Sequence, residues 1–465
     1  MNPVDSILAL QWLFLLYFIG INSGYILLNL LSIRTLRSYM EAENLDDMPR
    51  FYSGYEPPVS LLVPVYNDEN RIADSVRSLL QLDYPEYEII VINDGSTDRT
   101  FAALEREFSL VAFPEAYWQR LHGKGVRAIF RSTAHPNLRV IEKENGGKAD
   151  ALNAGINASR YPLFCAMDQD SVLRSDSLRR LAQPFVENPD TVAVGSMVRI
   201  ANGCAMERGF ISAIGLPASR LALLQIVEQL RTQLFGRLGW SLFNAVLIIS
   251  DSFTLFRKES VVEAGGYHTG AIDEDMELIV RLHRLQRLRG ARYQIAYLPD
   301  TLCWATVPET LSLLRKRRSR WQHGLADSLA LNLPLLFHRN GGTVSWLAFP
   351  FIMVLEWLGP VIEVAAYILM LAGFALGVVS VPALVIFLLV AIGFGMLLSV
   401  SSLALEELSF HLYPRPRQLA LLLLVAFLEN LGYRQLVALW RVGGIMQRLG
   451  SSLRGKTVVL REAHA

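Results

Sequence analysis

The chain has 465 residues, 52% of them hydrophobic, and a formal net charge of +1. Near-neutrality excludes a nucleic-acid partner gripped by a global basic field, and the length accommodates a large soluble domain together with membrane helices. Cys165, Cys204 and Cys303 stand far apart in no CxxC spacing, which excludes a disulfide framework or zinc site and suits reduced thiols in a cytoplasmic domain.

Leu8 to Ile33 is almost uninterrupted apolar sequence, with Asn22 and Asn29 as its polar exceptions. It is long enough to span a bilayer and too long for a signal-peptide core, so a retained membrane helix is predicted. Asp5 precedes it and Arg34 and Arg37 follow, which predicts an outward N-terminus and a cytoplasmic continuation. A polar linker, Glu41 to Pro58, leads into a strand over Val59 to Pro64 that delivers Val65-Tyr66-Asn67-Asp68-Glu69. After an amphipathic helix, a second strand, Tyr87 to Ile92, delivers Asn93-Asp94-Gly95-Ser96-Thr97-Asp98. Strand, acidic loop, helix, strand is the rhythm of an α/β fold with a doubly wound, mostly parallel sheet, which places each acidic group on the ligand-binding carboxyl edge.

Phe108 to Leu138 reads as an irregular insert, and Arg139 to Ile141 as a third strand. Gly146-Gly147 before Lys148 at a helix start fits a plain turn or an anion site built from backbone N–H groups and one ammonium. The apolar run Leu163 to Met167 is a buried strand handing Asp168-Gln169-Asp170 to a loop. An Asp-x-Asp alone is often a solvated turn, but at a sheet mouth two carboxylates suit a hard cation, Mg²⁺ or Mn²⁺, that also grips phosphate. Ser250-Asp251-Ser252 falls in a predicted strand, Leu247 to Phe256. Gly265-Gly266-Tyr267 breaks the chain before Asp273-Glu274-Asp275, which opens a helix where acids commonly complement the dipole. Leu311 to Trp321 is basic, as a membrane flank is.

Trp346 to Ile362 is apolar but contains Glu356 and Pro360, and Glu363 follows, so these acids should face a polar path or lie in the interface rather than meet lipid. Val364 to Val379 and Pro382 to Leu405 read as spans. Leu419 to Leu428 is too short to cross before Glu429 and Asn430 and reads as an interfacial or partly inserted helix, followed by a cytoplasmic tail with Arg441, Arg448, Arg454 and Lys456. The predicted division is a transmembrane helix over 1–40, a cytoplasmic domain over 41–340, transmembrane and interfacial helices over 341–440, and a basic tail over 441–465.

Six motifs in order, PVYNDE at Pro64 to Glu69, INDGSTD at Ile92 to Asp98, GGKADALNAG at Gly146 to Gly155, DQD at Asp168 to Asp170, DEDMEL at Asp273 to Leu278 and RxxRW at Arg317 to Trp321, carry a resemblance. They resemble the inverting family 2 glycosyltransferases, in particular the membrane-embedded cellulose, hyaluronan and poly-N-acetylglucosamine synthase-like branch, over Pro57 to Leu325. The resemblance implies a GT-A-like domain in which Tyr66 and Asp94 cradle the uracil of a UDP-sugar and Lys148 meets its phosphates. Asp168 and Asp170 would share the metal, Glu274 would line the substrate site, and Asp275 would be the catalytic base. Arg320 would meet the pyrophosphate and Trp321 stack under an acceptor sugar, roles suited to a planar cation and an indole face.

Three residues depart from the family pattern. Arg317 stands where processive synthases usually carry glutamine, which leaves processivity open; Asp273 replaces a threonine or glycine, and Asp251 a small residue near the acceptor. The two acids would favour an acceptor with a cationic or strongly hydrogen-bonding group, such as an amino sugar. The expected activity is transfer from UDP-N-acetylglucosamine or UDP-glucose to a β-linked polysaccharide, an exopolysaccharide, at the cytoplasmic face of the plasma membrane. The alternatives are transfer of one sugar to a lipid-linked acceptor, or a nucleotide-binding membrane scaffold without turnover. Membrane lipids, and an accessory subunit, are the other partners considered.

Overall fold

The computed structural model describes residues 3–46, 56–115, 117–207, 209–249, 252–413 and 415–462, of which 3–10, 41–46, 235 and 449–462 are backbone only. The described strands are β1 (Val59–Val65), β2 (Tyr87–Asp94), β3 (Leu110–Ala112), β4 (Val126–Ser132), β5 (Leu138–Lys143), β6 (Leu163–Met167), β7 (Val172–Leu173), β8 (Thr191–Ile200), β9 (Ala205–Glu207), β10 (Phe210–Ala213), β11 (Phe253–Arg257) and β12 (Gln294–Ala305). All but the β9–β10 hairpin form one sheet, ordered β3-β4-β5-β2-β1-β6-β11-β8-β12-β7. Its centre, β5-β2-β1-β6, is parallel, and the flanks are antiparallel except for the β8–β12 pair. The predicted doubly wound sheet is thus the middle of a sheet that is mixed as a whole.

β1 and β6 are apolar almost throughout because both faces are covered, so neither strand needs a polar side. The pleat divides their side chains: Leu62, Ile90 and Ile92 pack with Ile156, whereas Leu61, Val63, Ile89 and Val91 pack with Val76 and Leu104 on the other face. Register then places the chemistry. Val59 lies opposite both Tyr87 and Leu163, so Tyr66, Asp94 and Asp168 leave the sheet on one edge. Antiparallel β11 returns Ser252 to that edge, where its carbonyl accepts the Asp168 N–H at 3.3 Å.

Two expectations need correction within the domain. The insert over 108–138 contains strands β3 and β4, and β4 pairs with β5, Ile129 opposite Ile141. β4, second from the margin of the sheet, buries only Ile129 and Ser132, so its sequence shows little alternation. The strand predicted from Leu247 begins only at Phe253, because Ala245 and Leu247 pack into an apolar cluster on the membrane side instead of pairing. Asp251 lies outside the described residues.

The first helix runs from Pro3 to Asp46, past the point where a linker was expected. Its end docks on the domain: Leu36 is buried in the core and the Tyr39 hydroxyl donates to Asp300 at 2.6 Å, where Arg180 also binds at 2.8 Å. Higher up the same helix, a Cβ on Gly24 would lie 3.0 Å from the Phe351 ring. Helices Gln11–Met40, Val381–Phe410 and Pro416–Arg448 are long and apolar enough to cross a membrane, and Val344–Trp357 and Gly359–Ala375 form a pair bent by 44°. The bend falls at Gly359-Pro360, where proline offers no N–H to the helix.

The short interfacial or partly inserted helix expected over Leu419 to Leu428 is instead the first part of the 33-residue helix Pro416–Arg448, broken at Leu431 and Gly432 (φ 100°). Its charges mislead a linear reading because they are neutralised by distant partners: Glu429 pairs with Arg231 at 3.0 Å, and Arg448 with Asp327 at 2.7 Å. Residues up to Arg448 therefore belong to the packed body, while the side chains of Arg454 and Lys456 lie outside the described residues. Glu356 pairs with Arg441 at 3.0 Å and Glu363 with Arg434 at 3.5 Å, so the acids of the bent pair face protein rather than lipid, as expected.

Leu311–Leu331 crosses the start of Glu274–Arg289 at Gly324, where an added Cβ would lie 2.6 Å from Asp273 Cβ. Gly324→Ala is expected to cost about 1–3 kcal/mol, read as a lower unfolding midpoint of detergent-purified protein. Gly443→Ala, at a glycine with nothing within 4 Å, should leave the midpoint within error of the parent.

Candidate active site

The site begins with a buried ammonium. Lys143, fully buried at the end of β5, pairs with Asp94 and Asp150, each at 2.6 Å. The N–H groups of Gly146 and Gly147 donate to Asp94 at 3.0 and 2.7 Å, and Gly147 turns the chain at φ 87°, a conformation open to glycine without strain. The two oxygens of Asp94 already accept three hydrogen bonds and the residue is 3% exposed, so besides the base-binding role expected of it Asp94 shapes the turn.

From that turn the helix Lys148–Ala158 starts, and Lys148 reaches out to three carboxylates: Asp168 at 2.9 Å, Glu274 at 3.0 Å and Asp275 at 3.0 Å. One turn and a half along, Asn153 exchanges two hydrogen bonds with the Tyr267 backbone, 2.8 and 2.7 Å, and so fixes the approach to Asp273-Glu274-Asp275. Asp273 itself accepts from Met276 N–H at 3.2 Å as the N-cap of Glu274–Arg289. One of its carboxylate oxygens thus serves the helix end, a role the sequence reading did not give it.

Burial, with Glu274 and Asp168 beside it, raises the pKa of Asp275 from 3.8 to about 7 against the opposing pull of Lys148. Burial alone would lower the pKa of Lys148, yet Asp168, Asp275 and Glu274 hold it well above its ordinary value. The site therefore holds one fixed cation and one carboxyl group poised to exchange a proton near neutrality, which is the property asked of a general base.

The other predicted residues surround this centre. Tyr66, 49% exposed, stands at the end of β1 above a loop whose Asn67 side chain accepts from Thr97 N–H at 2.8 Å. Asp170 accepts from the Thr306 hydroxyl at 3.2 Å, and Arg317 donates to the Thr306 carbonyl at 3.4 Å, so these two meet at one residue. Arg320 donates to the Ile272 carbonyl at 3.4 Å, directly before the acidic triplet. Trp321 lines a cavity of about 270 Å³ between the catalytic edge and the membrane helices, shared with Tyr25, Trp240, Phe351, Glu356 and Arg441. Sequence reasoning missed Tyr25 and Arg441, which sit on helices at opposite ends of the chain.

Asp168 and Asp170 suit a hard divalent cation because both offer oxygen donors at the open mouth, and a cation bound there would compete with Lys148, 2.9 Å away, for Asp168. Among the described residues no group of three or more His, Cys, Asp or Glu side chains is arranged around a metal position. A cation here would complete its shell with substrate oxygens and water.

Residues 57–324, more than half of the chain, match the family described as Glycosyltransferase like family 2. Poly-beta-1,6-N-acetyl-D-glucosamine synthase of Staphylococcus epidermidis is 31% identical over 267 residues, covering 57% of this chain and 54% of that protein. The Staphylococcus aureus (strain MSSA476) synthase of the same name is 32% identical over 269 residues, with 57% and 54% coverage. The chain thus spans about half the length of the curated relatives it matches. In fold it is similar to the mannosyltransferase PcManGT from Pyrobaculum calidifontis, solved with GDP-Man and Mn²⁺, at a TM-score of 0.50 and 18% identity over 89% of this chain and 99% of that one.

Lys143→Met would strand two buried carboxylates, at a cost of about 3–5 kcal/mol. Little monodisperse protein should be recovered from membranes, and adding Asp150→Asn should restore part of the yield. A wild-type unfolding midpoint for Lys143→Met would show that the turn does not depend on this ammonium.

Proposed function

The chain belongs to glycosyltransferase family 2, and on that premise we propose that it transfers N-acetylglucosamine from a UDP donor to the end of a growing β-linked polysaccharide at the cytoplasmic face of a membrane. The observation that carries this reading is the meeting of Asp168, Glu274 and Asp275 at one ammonium, with Trp321 and its cavity alongside. The sugar follows the name of the staphylococcal relatives, with UDP-glucose as the competing donor.

In this reading Asp275 takes the proton of an acceptor hydroxyl as that oxygen bonds to the anomeric carbon. The bond from that carbon to the UDP oxygen breaks on the opposite face, so configuration inverts and no covalent enzyme intermediate forms. Mg²⁺ or Mn²⁺ held by Asp168 and Asp170 would neutralise charge on the departing diphosphate. Lys148 and Arg320 supply further positive charge there, Glu274 orients Lys148, and Trp321 offers its face to the acceptor ring. Tyr66 provides the exposed platform for the base, and Asp94 acts through the glycine turn. Asp251 stays in this proposal as a residue near the acceptor.

The bundle supports a polymer over a lipid acceptor. Glu356 and Arg441 line the cavity at Trp321, and a second ion pair, Glu363 with Arg434, lies seven residues further along each chain segment, so the helices beside the cavity carry charge. A cavity wall carrying charge suits a hydrated glycan and opposes an apolar tail.

Membranes given radiolabelled UDP-N-acetylglucosamine should build long polymer, and should prefer it to UDP-glucose; a single added sugar on a lipid would overturn the reading. Asp275→Asn should lower kcat by about 10²–10⁴-fold while UDP binding persists. Because the base works ionised and its pKa is raised to about 7, kcat/KM should fall about tenfold per pH unit below that value and level off above it. Chelation with EDTA should abolish transfer, and added Mn²⁺ or Mg²⁺ should restore it.

A further inference from the structure

The helix that carries Arg320 and Trp321 is held from two sides. Towards Asp275 it is held at Gly324; on the other side the C-terminal helix Arg434–Glu462 runs along it. Ser319 donates to the Trp440 carbonyl at 3.0 Å, and a Cβ on Gly444 would collide with the Ser319 carbonyl, so the two backbones are nearly in contact. Between these points lies Arg441. Its Nε donates to Gln322 Oε1 at 2.7 Å, its Nη2 pairs with Glu356 at 3.0 Å, and its guanidinium carbon sits 5.0 Å from the centre of the Trp321 ring. Glu356 in turn accepts from the Tyr25 hydroxyl, and Gln322 donates to the Trp357 carbonyl at 2.8 Å.

We propose that Arg441 is a positioning residue for the acceptor: it sets the plane of the Trp321 indole in the cavity and so determines how tightly the sugar end is held. The inference rests on the proposed role of Trp321 as the acceptor platform. A planar guanidinium serves because it can lie against an aromatic ring while its edge bonds are taken by Gln322 and Glu356. A lysine would keep the charge but could not hold all three neighbours in one geometry. Arg448 provides an internal comparison, because it joins the same two helices through Asp327 at 2.7 Å, seven residues beyond Arg441.

The test uses the full chain in detergent, UDP-N-acetylglucosamine as donor and a β-1,6-linked N-acetylglucosamine oligosaccharide as acceptor, with rates referred to equal amounts of monodisperse protein. Arg441→Met should raise the acceptor KM by about 2–30-fold, the range of a cation–aromatic contact, with a smaller change in kcat, and Arg441→Lys should recover part of it. Arg448→Met should leave the acceptor KM at the parent value. In a Trp321→Ala background, adding Arg441→Met should raise the acceptor KM no further. If Arg441→Met cannot be purified, Glu356→Gln, which loosens the guanidinium, should show an intermediate KM. An unchanged KM in Arg441→Met, or an equal rise with and without Trp321, overturns the inference while leaving the platform standing. An unchanged KM in Trp321→Ala overturns the platform and this inference with it.

Discussion

The ammonium of Lys148, within 3.0 Å of Asp168, Glu274 and Asp275, is the contact on which the rest of the structure depends. Three carboxylates gathered at a partly buried edge would repel one another, and a single cation both gathers them and separates their behaviour. Asp275 retains a proton-exchanging pKa of about 7, a property no isolated aspartate has. Around this contact the fold supplies restraint in layers. Lys143 fixes the glycine turn that aims Lys148, Asn153 fixes the approach to Asp275, and Gly324 lets the Trp321 helix come close.

Much of this was legible in the sequence where a strand is apolar on both faces and ends in an acid. β1, β2 and β6 lie where the runs Val59 to Pro64, Tyr87 to Ile92 and Leu163 to Met167 predict them. Partners across long sequence separations were not legible. Asp94 reads as an acceptor at a strand end, and nothing near it in the chain shows that Lys143, on a neighbouring strand, holds it. Asp273 reads as part of an acidic surface, and its capping of its own helix was not read. β4 buries too little to show the period of two, and Glu429 and Arg441 look like solvent-facing charges because Arg231 and Glu356 are remote in the chain.

The same pairing explains how a domain with catalytic charges can be built onto apolar helices. Removing one member of a buried ion pair is costly, which makes Glu356–Arg441 and Arg231–Glu429 strong constraints on how the helices assemble, whatever their net worth in stability. Apolar surface alone would allow the helices to slide or rotate, whereas matched charges select one alignment. The Trp321 helix is thereby fastened to membrane and catalytic elements at once, and the cavity lies where both meet.

The first helix carries a consequence of its own. It touches Phe351 at Gly24 and the sheet domain at Tyr39, and between those two points it is continuous helix. Fifteen residues at the helical rise make a strut of about 22 Å, so the height of the sheet domain above the Phe351 helix is a matter of counting. Inserting one residue there would swing Tyr39 by about 100°, away from Asp300. No length can be gained or lost along this strut without turning its far end off its anchor, so the sheet domain and the Phe351 helix are held at a fixed spacing.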